Sequence, residues 1–169
     1  MFSLYSFKVW ELYEKLGPSE FGLICQATLA ICFKSFGAEI EALKQTGHPD
    51  IEFGFRDKHW RVEVEFVSPQ KDMFEIKDDD IKAIKPLSEL DRGYFAIFDC
   101  NYPVNWKLLD FARIMFVGKG VFSLSKLDSL SDSDLSAMCT DWTAKFFAEH
   151  ESEIVSKRFP GICKDYIFG

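Results

Sequence analysis

Asp50, Glu52, Arg61, Glu63 and Glu65 gather in a stretch that reads GHPDIEFGFRDKHWRVEVEF, from Gly47 to Phe66. Ile51 to Phe55 and Trp60 to Phe66 both alternate apolar and polar residues, the pattern of half-buried strands. The polar break Arg56-Asp57-Lys58-His59 is short enough for a hairpin turn. Pairing Phe55 with Trp60 sets Phe53 against Val62, Ile51 against Val64 and Asp50 against Glu65. Side chains two apart on a strand share a face, so the ionisable residues lie together, opposite the apolar set. Carboxylates facing one another repel, and Arg61 offsets one charge only. Two arrangements relieve the repulsion. One is a solvent-exposed face, where charge is screened. The other is a divalent cation, because hard ions such as Mg²⁺ take carboxylate oxygens.

Other residues offer less. His48 precedes Pro49-Asp50 and either adjoins this site or is a loop histidine with no role. His59 sits at the far end of the hairpin and His150 in a C-terminal helix. No histidine has metal-ligand spacing to a second His or Cys, which argues against a zinc site. Asp78-Asp79-Asp80 could ligate a metal, but the better reading is the acidic first turn of a helix. Asp132 and Asp134 read as helix caps. Lys71, Lys77, Lys82, Lys85 and Arg92 form the densest basic stretch, a candidate for phosphate contact or equally a solvated helix face. Walker A, dinucleotide-binding and G-x-S-x-G motifs are absent.

The positioning elements follow from periodicity. Residues 3 to 16 read as an amphipathic helix carrying Tyr5, Val9, Leu12 and Leu16, stopped by Gly17-Pro18. Ser19 then N-caps a second helix to about Phe36, with Glu20 in its first turn and Phe21, Ile24, Ala27 and Ile31 on a buried face. Glu20 there complements the helix dipole or reaches the acidic site. Gly37 stops this helix, Ala38 to Lys44 reads as a strand, and Gln45 to Pro49 as a loop. Asp78 opens a helix carrying Ile81, Ile84 and Leu87. Gly93 to Cys100 is a buried strand, Trp106 to Ile114 a helix, Met115 to Phe122 a further strand, and Leu124 to Leu130 a connector or short helix. Ser131-Asp132-Ser133-Asp134 opens a long helix to about Phe159.

This order, a helix with an acid near its start, a strand, Pro-Asp opening a second strand and Glu-x-Glu on a third, resembles the PD-(D/E)xK nuclease superfamily, the restriction-endonuclease-like fold. The matching positions are Glu20, Pro49-Asp50 and Glu63-Val64-Glu65, and the resemblance covers roughly Ser19 to Cys100. It implies an α/β fold with a central mixed β-sheet flanked by helices, and Mg²⁺- or Mn²⁺-dependent hydrolysis of DNA phosphodiester bonds. Asp50, Glu63 and Glu65 would be catalytic, with Asp50, Glu63 and Glu20 holding the metal. Glu65 stands where the family's third motif usually ends in Lys; some restriction enzymes carry Glu-x-Glu and cleave. Lys71 is the nearest lysine in sequence to replace it, and Lys71, Lys77, Lys82 and Lys85 are the nucleic-acid-binding candidates.

The 169 residues fit a single domain, with a nuclease-like core at about 19–100 and a helical region at about 105–169. With 47% hydrophobic residues and 18 Phe the chain can bury a sizeable core. A net charge of −7 argues against strong non-specific binding to nucleic acid. DNA cleavage is therefore expected to need a homodimer or a basic accessory subunit. The five cysteines lack C-x-x-C spacing, which with no signal-peptide pattern fits a cytoplasmic protein. No apolar run is long and uninterrupted enough to predict a membrane span. Beside the nuclease stand a non-catalytic member of the fold serving as an interaction or assembly module, and a plain α/β domain with a solvated acidic face.

Overall fold

The computed structural model describes residues 4–43, 49–156, 158–161 and 163. Helix α1 (Leu4–Ser35) bends at Gly17, whose φ of 79° and ψ of 169° leave the helical region. Pro18 opens the second half, a position where its fixed φ suits the helix and its missing N–H is not needed. The break falls where the sequence predicts it, with Gly17 rather than Ser19 as the last non-helical residue. Val9 and Leu12 are buried before the break, and Phe21, Ile24, Ile31 and Phe33 after it. By length and composition a stretch within Tyr5–Ser35 is apolar enough to cross a membrane, yet most of it is buried inside this fold. A helix apolar nearly all round belongs in a core.

That helix packs on a five-stranded mixed sheet of β1 (Glu39–Leu43), β2 (Ile51–Phe55), β3 (Lys58–Val67), β5 (Asp91–Asp99) and β6 (Asn105–Asp110), in that spatial order. β4 (Met73–Ile76) and β7 (Gly120–Ser123) pair separately as an antiparallel ribbon. β3 and β5 are parallel; the other neighbours in the large sheet are antiparallel. The predicted strand from Ala38 is β1, and Lys44 to His48 lie outside the described residues.

The hairpin is two residues tighter than the pattern predicts. Ile51 pairs with Val62, Phe53 with Trp60 and Phe55 with Lys58. The turn is Arg56-Asp57 alone, with φ of 51° and 61°. Two left-handed residues give the turn whose twist matches its flanking strands, and the Arg56 guanidinium lies 4.8 Å over the Phe55 ring. A slip of two preserves every facing. Phe53, Val62 and Val64 are accordingly buried in the core that α1 shares.

α1 and α5 (Ser133–Glu149) cover this face of the sheet. On the other face α2 (Asp78–Ala83), α3 (Phe111–Val117), α4 (Leu124–Leu130) and the ribbon enclose a second core of Val67, Ile76, Ile84, Phe95, Ile97, Leu109, Ile114 and Leu127. β5 lies between the two, sending Ala96 and Phe98 to one core and Phe95 and Ile97 to the other. The close seat of α2 is set at Gly93, where an added Cβ would lie 1.8 Å from the Ile84 carbonyl oxygen.

Several expected elements differ. Trp106 to Ile114 is not one helix: β6 runs to Asp110, whose side chain accepts from Arg113 N to cap α3. Trp106 to Leu109 are all buried, Lys107 among them with its Nζ 3.1 Å from Asp128 Oδ1, and the alternation from Asn105 to Leu108 is too short to mark a strand. Met115 to Val117 complete α3, leaving β7 as the strand there. The Asp78 helix ends at Ala83, and Leu87 is exposed. Asp132 caps α5 through Leu135 N at 3.0 Å, but the helix stops at Glu149, followed by α6 (Glu151–Ser156). All five cysteines are buried free thiols.

The edges of the large sheet are closed differently. Along β6, Trp106 N donates to Thr140 Oγ1 and Leu108 N to Ser136 Oγ, each at 2.9 Å, while Asp132 N donates to Leu108 O at 2.7 Å. β1 is short, exposes Glu39 and Glu41, and carries a bulge between Ile40 and Ala42.

Candidate metal centre

The tighter register splits the acidic face into two groups. Glu52 pairs with Arg61, Oε1 to Nε at 3.4 Å, and lies 3.8 Å from His59 Nε2. Arg61 is held further by donating to Lys85 O. Glu52 is thus neutralised at the turn end. At the other end Asp50 Oδ2 accepts from Val64 N at 2.8 Å, and Asp50 and Glu63 share a side-chain hydrogen bond. The predicted opposition of Asp50 and Glu65 is replaced by this contact with Glu63, a direct result of the two-residue turn.

Glu63, Glu65 and Asp80 each offer a carboxylate oxygen within 4.8 Å of the others. β3 projects Glu63 and Glu65 from one face, two residues apart. Asp80 comes from α2, whose first turn also holds Asp78 and Asp79. Its other task is local: Asp80 Oδ2 accepts from Lys77 N at 3.0 Å and caps the helix. The sequence reading assigned Asp78-Asp79-Asp80 to the helix start, and for Asp80 both roles hold in the geometry. The signal was the aspartate run; which member points inward depends on how α2 seats over Gly93.

Electrostatics mark the cluster as strained without a cation. Glu63 is 1% exposed. Burial pushes its carboxyl up to about 9, assisted by the Asp50 charge, their hydrogen bond, Asp80 and Glu65. Glu65 is pushed up to about 7 by desolvation and by Asp80 and Asp50, with the Lys77 charge acting in the opposite direction. Near neutrality the Asp50–Glu63 pair therefore holds a proton between its oxygens. An all-carboxylate donor set of this kind suits hard, oxygen-seeking ions such as Mg²⁺, Mn²⁺ and Ca²⁺, and offers no nitrogen or sulfur to a softer one.

A cleft of about 320 Å³ opens beside these acids, lined by Asp50, Glu63, Val64, Glu65 and Phe66 on one side and by Pro18, Ser19, Gly22, Leu23 and Gln26 of α1 on the other. Glu20 does not line it and is exposed. The cleft-lining positions 19, 22, 23 and 26 form one helical stripe, and Glu20 falls one residue round from it. Gln26, which the sequence reading did not single out, is the α1 side chain set deepest there. Lys71, Lys77, Lys82 and Lys85 are all exposed. Lys77, Lys82 and Lys85 lie on α2 or its flanks, the helix that brings Asp80; Lys71 lies in the β3–β4 loop, its carbonyl accepting from Asn101 Nδ2. His48 is outside the described residues.

No family model matches the chain, and no curated protein matches its sequence.

Proposed function

We propose that the chain is a metal-dependent nuclease of the restriction-endonuclease-like fold that hydrolyses DNA phosphodiester bonds. The observation that carries this reading is the cluster of Glu63, Glu65 and Asp80, with Asp50 hydrogen-bonded to Glu63 and a cleft against α1 opening beside Asp50, Glu63 and Glu65. Acids from a strand start, a neighbouring strand and a helix gather there with no packing reason to do so. In this reading Glu63 and Asp80, with Asp50 beside them, would hold the ion, and Glu65 would take a proton from water or add a further oxygen. A bound Mg²⁺ or Mn²⁺ would polarise the phosphoryl oxygens and ease ionisation of water. A carboxyl pushed up to about 7 suits Glu65 to proton transfer near neutral pH. Val64 N, by donating to Asp50, fixes one carboxylate oxygen and leaves the other for the ion. Lys77, Lys82 and Lys85, on or beside the helix that brings Asp80, would serve as phosphate contacts, and the net charge of −7 leaves stable DNA engagement to a homodimer or a basic accessory subunit.

A second reading, a non-catalytic member of the same fold acting as an interaction or assembly module, is favoured by one observation: among the described residues no basic side chain lines the cleft. Calorimetric titration with Mn²⁺, beside cleavage assays on single-stranded, double-stranded and branched DNA, separates the two. A nuclease binds the ion and cleaves at least one DNA form, and Asp50→Asn loses both. Ion binding with no cleavage under any condition favours the module, and no ion binding leaves a solvated acidic face.

A further inference from the structure

The α1 wall of the cleft carries a polar group that the metal centre does not use. Gln26 is 7% exposed and lines the cleft with Asp50, Glu63 and Glu65. Its amide makes no hydrogen bond with any other described residue, and its polar atoms stay accessible to the open space of the cleft rather than sealed from it. An amide so placed is available to a group that enters the cleft. The groups opposite are acceptors only when ionised, so they can take a cation but cannot hold an anion's oxygen. The amide nitrogen of Gln26 is a donor, set in a cleft whose described ionisable side chains, Asp50, Glu63 and Glu65, are acceptors only once a cation has displaced their proton. Ser19 adds a hydroxyl at the mouth, and the second half of α1 begins there at Pro18 with the positive end of its dipole. One wall is thus built for a cation and the other for negatively charged oxygen.

We propose that Gln26 is an anion contact, and that the cleft takes a phosphoryl group with one oxygen on a divalent cation at the acidic wall and a second oxygen accepting from the Gln26 amide. The ligand class is a phosphate ester. This rests on the metal reading above and adds to it a ligand-binding residue from a different element.

The test titrates the whole chain first with Mn²⁺ alone. At saturating Mn²⁺ it is then titrated with thymidine 5′-monophosphate and with a phosphorothioate-linked thymidine dinucleotide, which distinguish a monoester from a diester ligand. Wild type is expected to bind a probe only with Mn²⁺ present. Gln26→Met keeps the shape and removes the donor; it should retain Mn²⁺ affinity and bind at least one probe about tenfold more weakly, the effect of one charged hydrogen bond. Its metal-free melting temperature should be close to that of wild type, since the amide makes no hydrogen bond with the described residues. Gln26→Glu replaces donor by acceptor and should bind Mn²⁺ more tightly and the probe more weakly, which decides the matter if the Met variant does not fold. Unchanged probe affinity in both variants overturns the proposal. A wild type that binds Mn²⁺ but neither probe overturns the anion contact alone, whereas one that binds no Mn²⁺ overturns the metal reading and this inference with it.

Discussion

Replacing Glu63 by Gln should separate metal binding from folding. Glu63 is buried, and burial with Asp50 alongside keeps it protonated at neutral pH. Glutamine has the same shape and still offers a donor to Asp50, so the metal-free melting temperature near pH 7 should barely change. With a cation the outcome differs. An ion at a hundredfold excess over its dissociation constant adds about 2.7 kcal/mol to wild-type stability. For a chain of this size that is roughly 5–11 °C in melting temperature. Glu63→Gln removes one carboxylate from the donor set and should reduce the gain to about 1–2 °C. The pH dependence follows from the raised carboxyl pKa values. A group whose folded pKa lies above its unfolded value contributes stability that is complete below the unfolded pKa and is lost as pH rises through the folded one. For Glu65 the loss runs up to about 7, and for Glu63 up to about 9. These two groups therefore make the metal-free wild type less stable as pH rises, while the Mg²⁺-induced gain grows, because the ionised forms are those that bind. Glu63→Gln should flatten the upper part of the metal-free profile. Thermal melts of both proteins at about pH 5, 7 and 9, with and without Mg²⁺, measure each effect. Equal Mg²⁺ shifts in the two proteins would refute the metal centre.

The remaining predictions concern the scaffold. Val64→Ala should cost about 1–3 kcal/mol in denaturant unfolding, since Val64 is packed in the core beneath α1. Gly93→Ala should cost at least about 3 kcal/mol and abolish any stabilisation by Mg²⁺, because a methyl there drives the Ile84 carbonyl, and with it α2 and Asp80, off the sheet; a normal Mg²⁺ shift would show that α2 does not position the site. Ser136→Ala should cost about 1–3 kcal/mol by leaving the Leu108 N–H without its acceptor, and hydrogen exchange at Leu108 should accelerate.

The strand pattern carried much of this site, and its limits are physical. Alternation alone placed Phe53, Val62 and Val64 inward and Asp50, Glu63 and Glu65 on the opposite side. The register was wrong by two because Arg56-Asp57 lacks the Asn-Gly or Asp-Gly pair that announces a two-residue turn, and the facing survived because a slip of two leaves it unchanged. β6 was misread as helix because its alternation is short, from Asn105 to Leu108, and breaks where Leu108 and Leu109 stand side by side. Glu20 looked favourable because it begins a helix near an acidic strand. Which side of α1 meets the cleft is decided by the bend at Gly17, and that places Gln26, not Glu20, against the acids. Asp80 joins through the docking of α2, a long-range event that spacing along the chain does not encode.

The hydroxyls of Ser136 and Thr140 along β6 bear on how copies of this protein can meet. An open strand edge is a template on which another chain can polymerise. Here Trp106 and Leu108 spend their outward N–H groups on the protein's own helix, so that border accepts no further strand without first displacing α5. The opposite border, β1, is bulged, and joining it to a second copy would bring Glu39 and Glu41 against their own kind. Neither border therefore favours a strand from another copy, and contacts between copies are left to the helices and the β4–β7 ribbon.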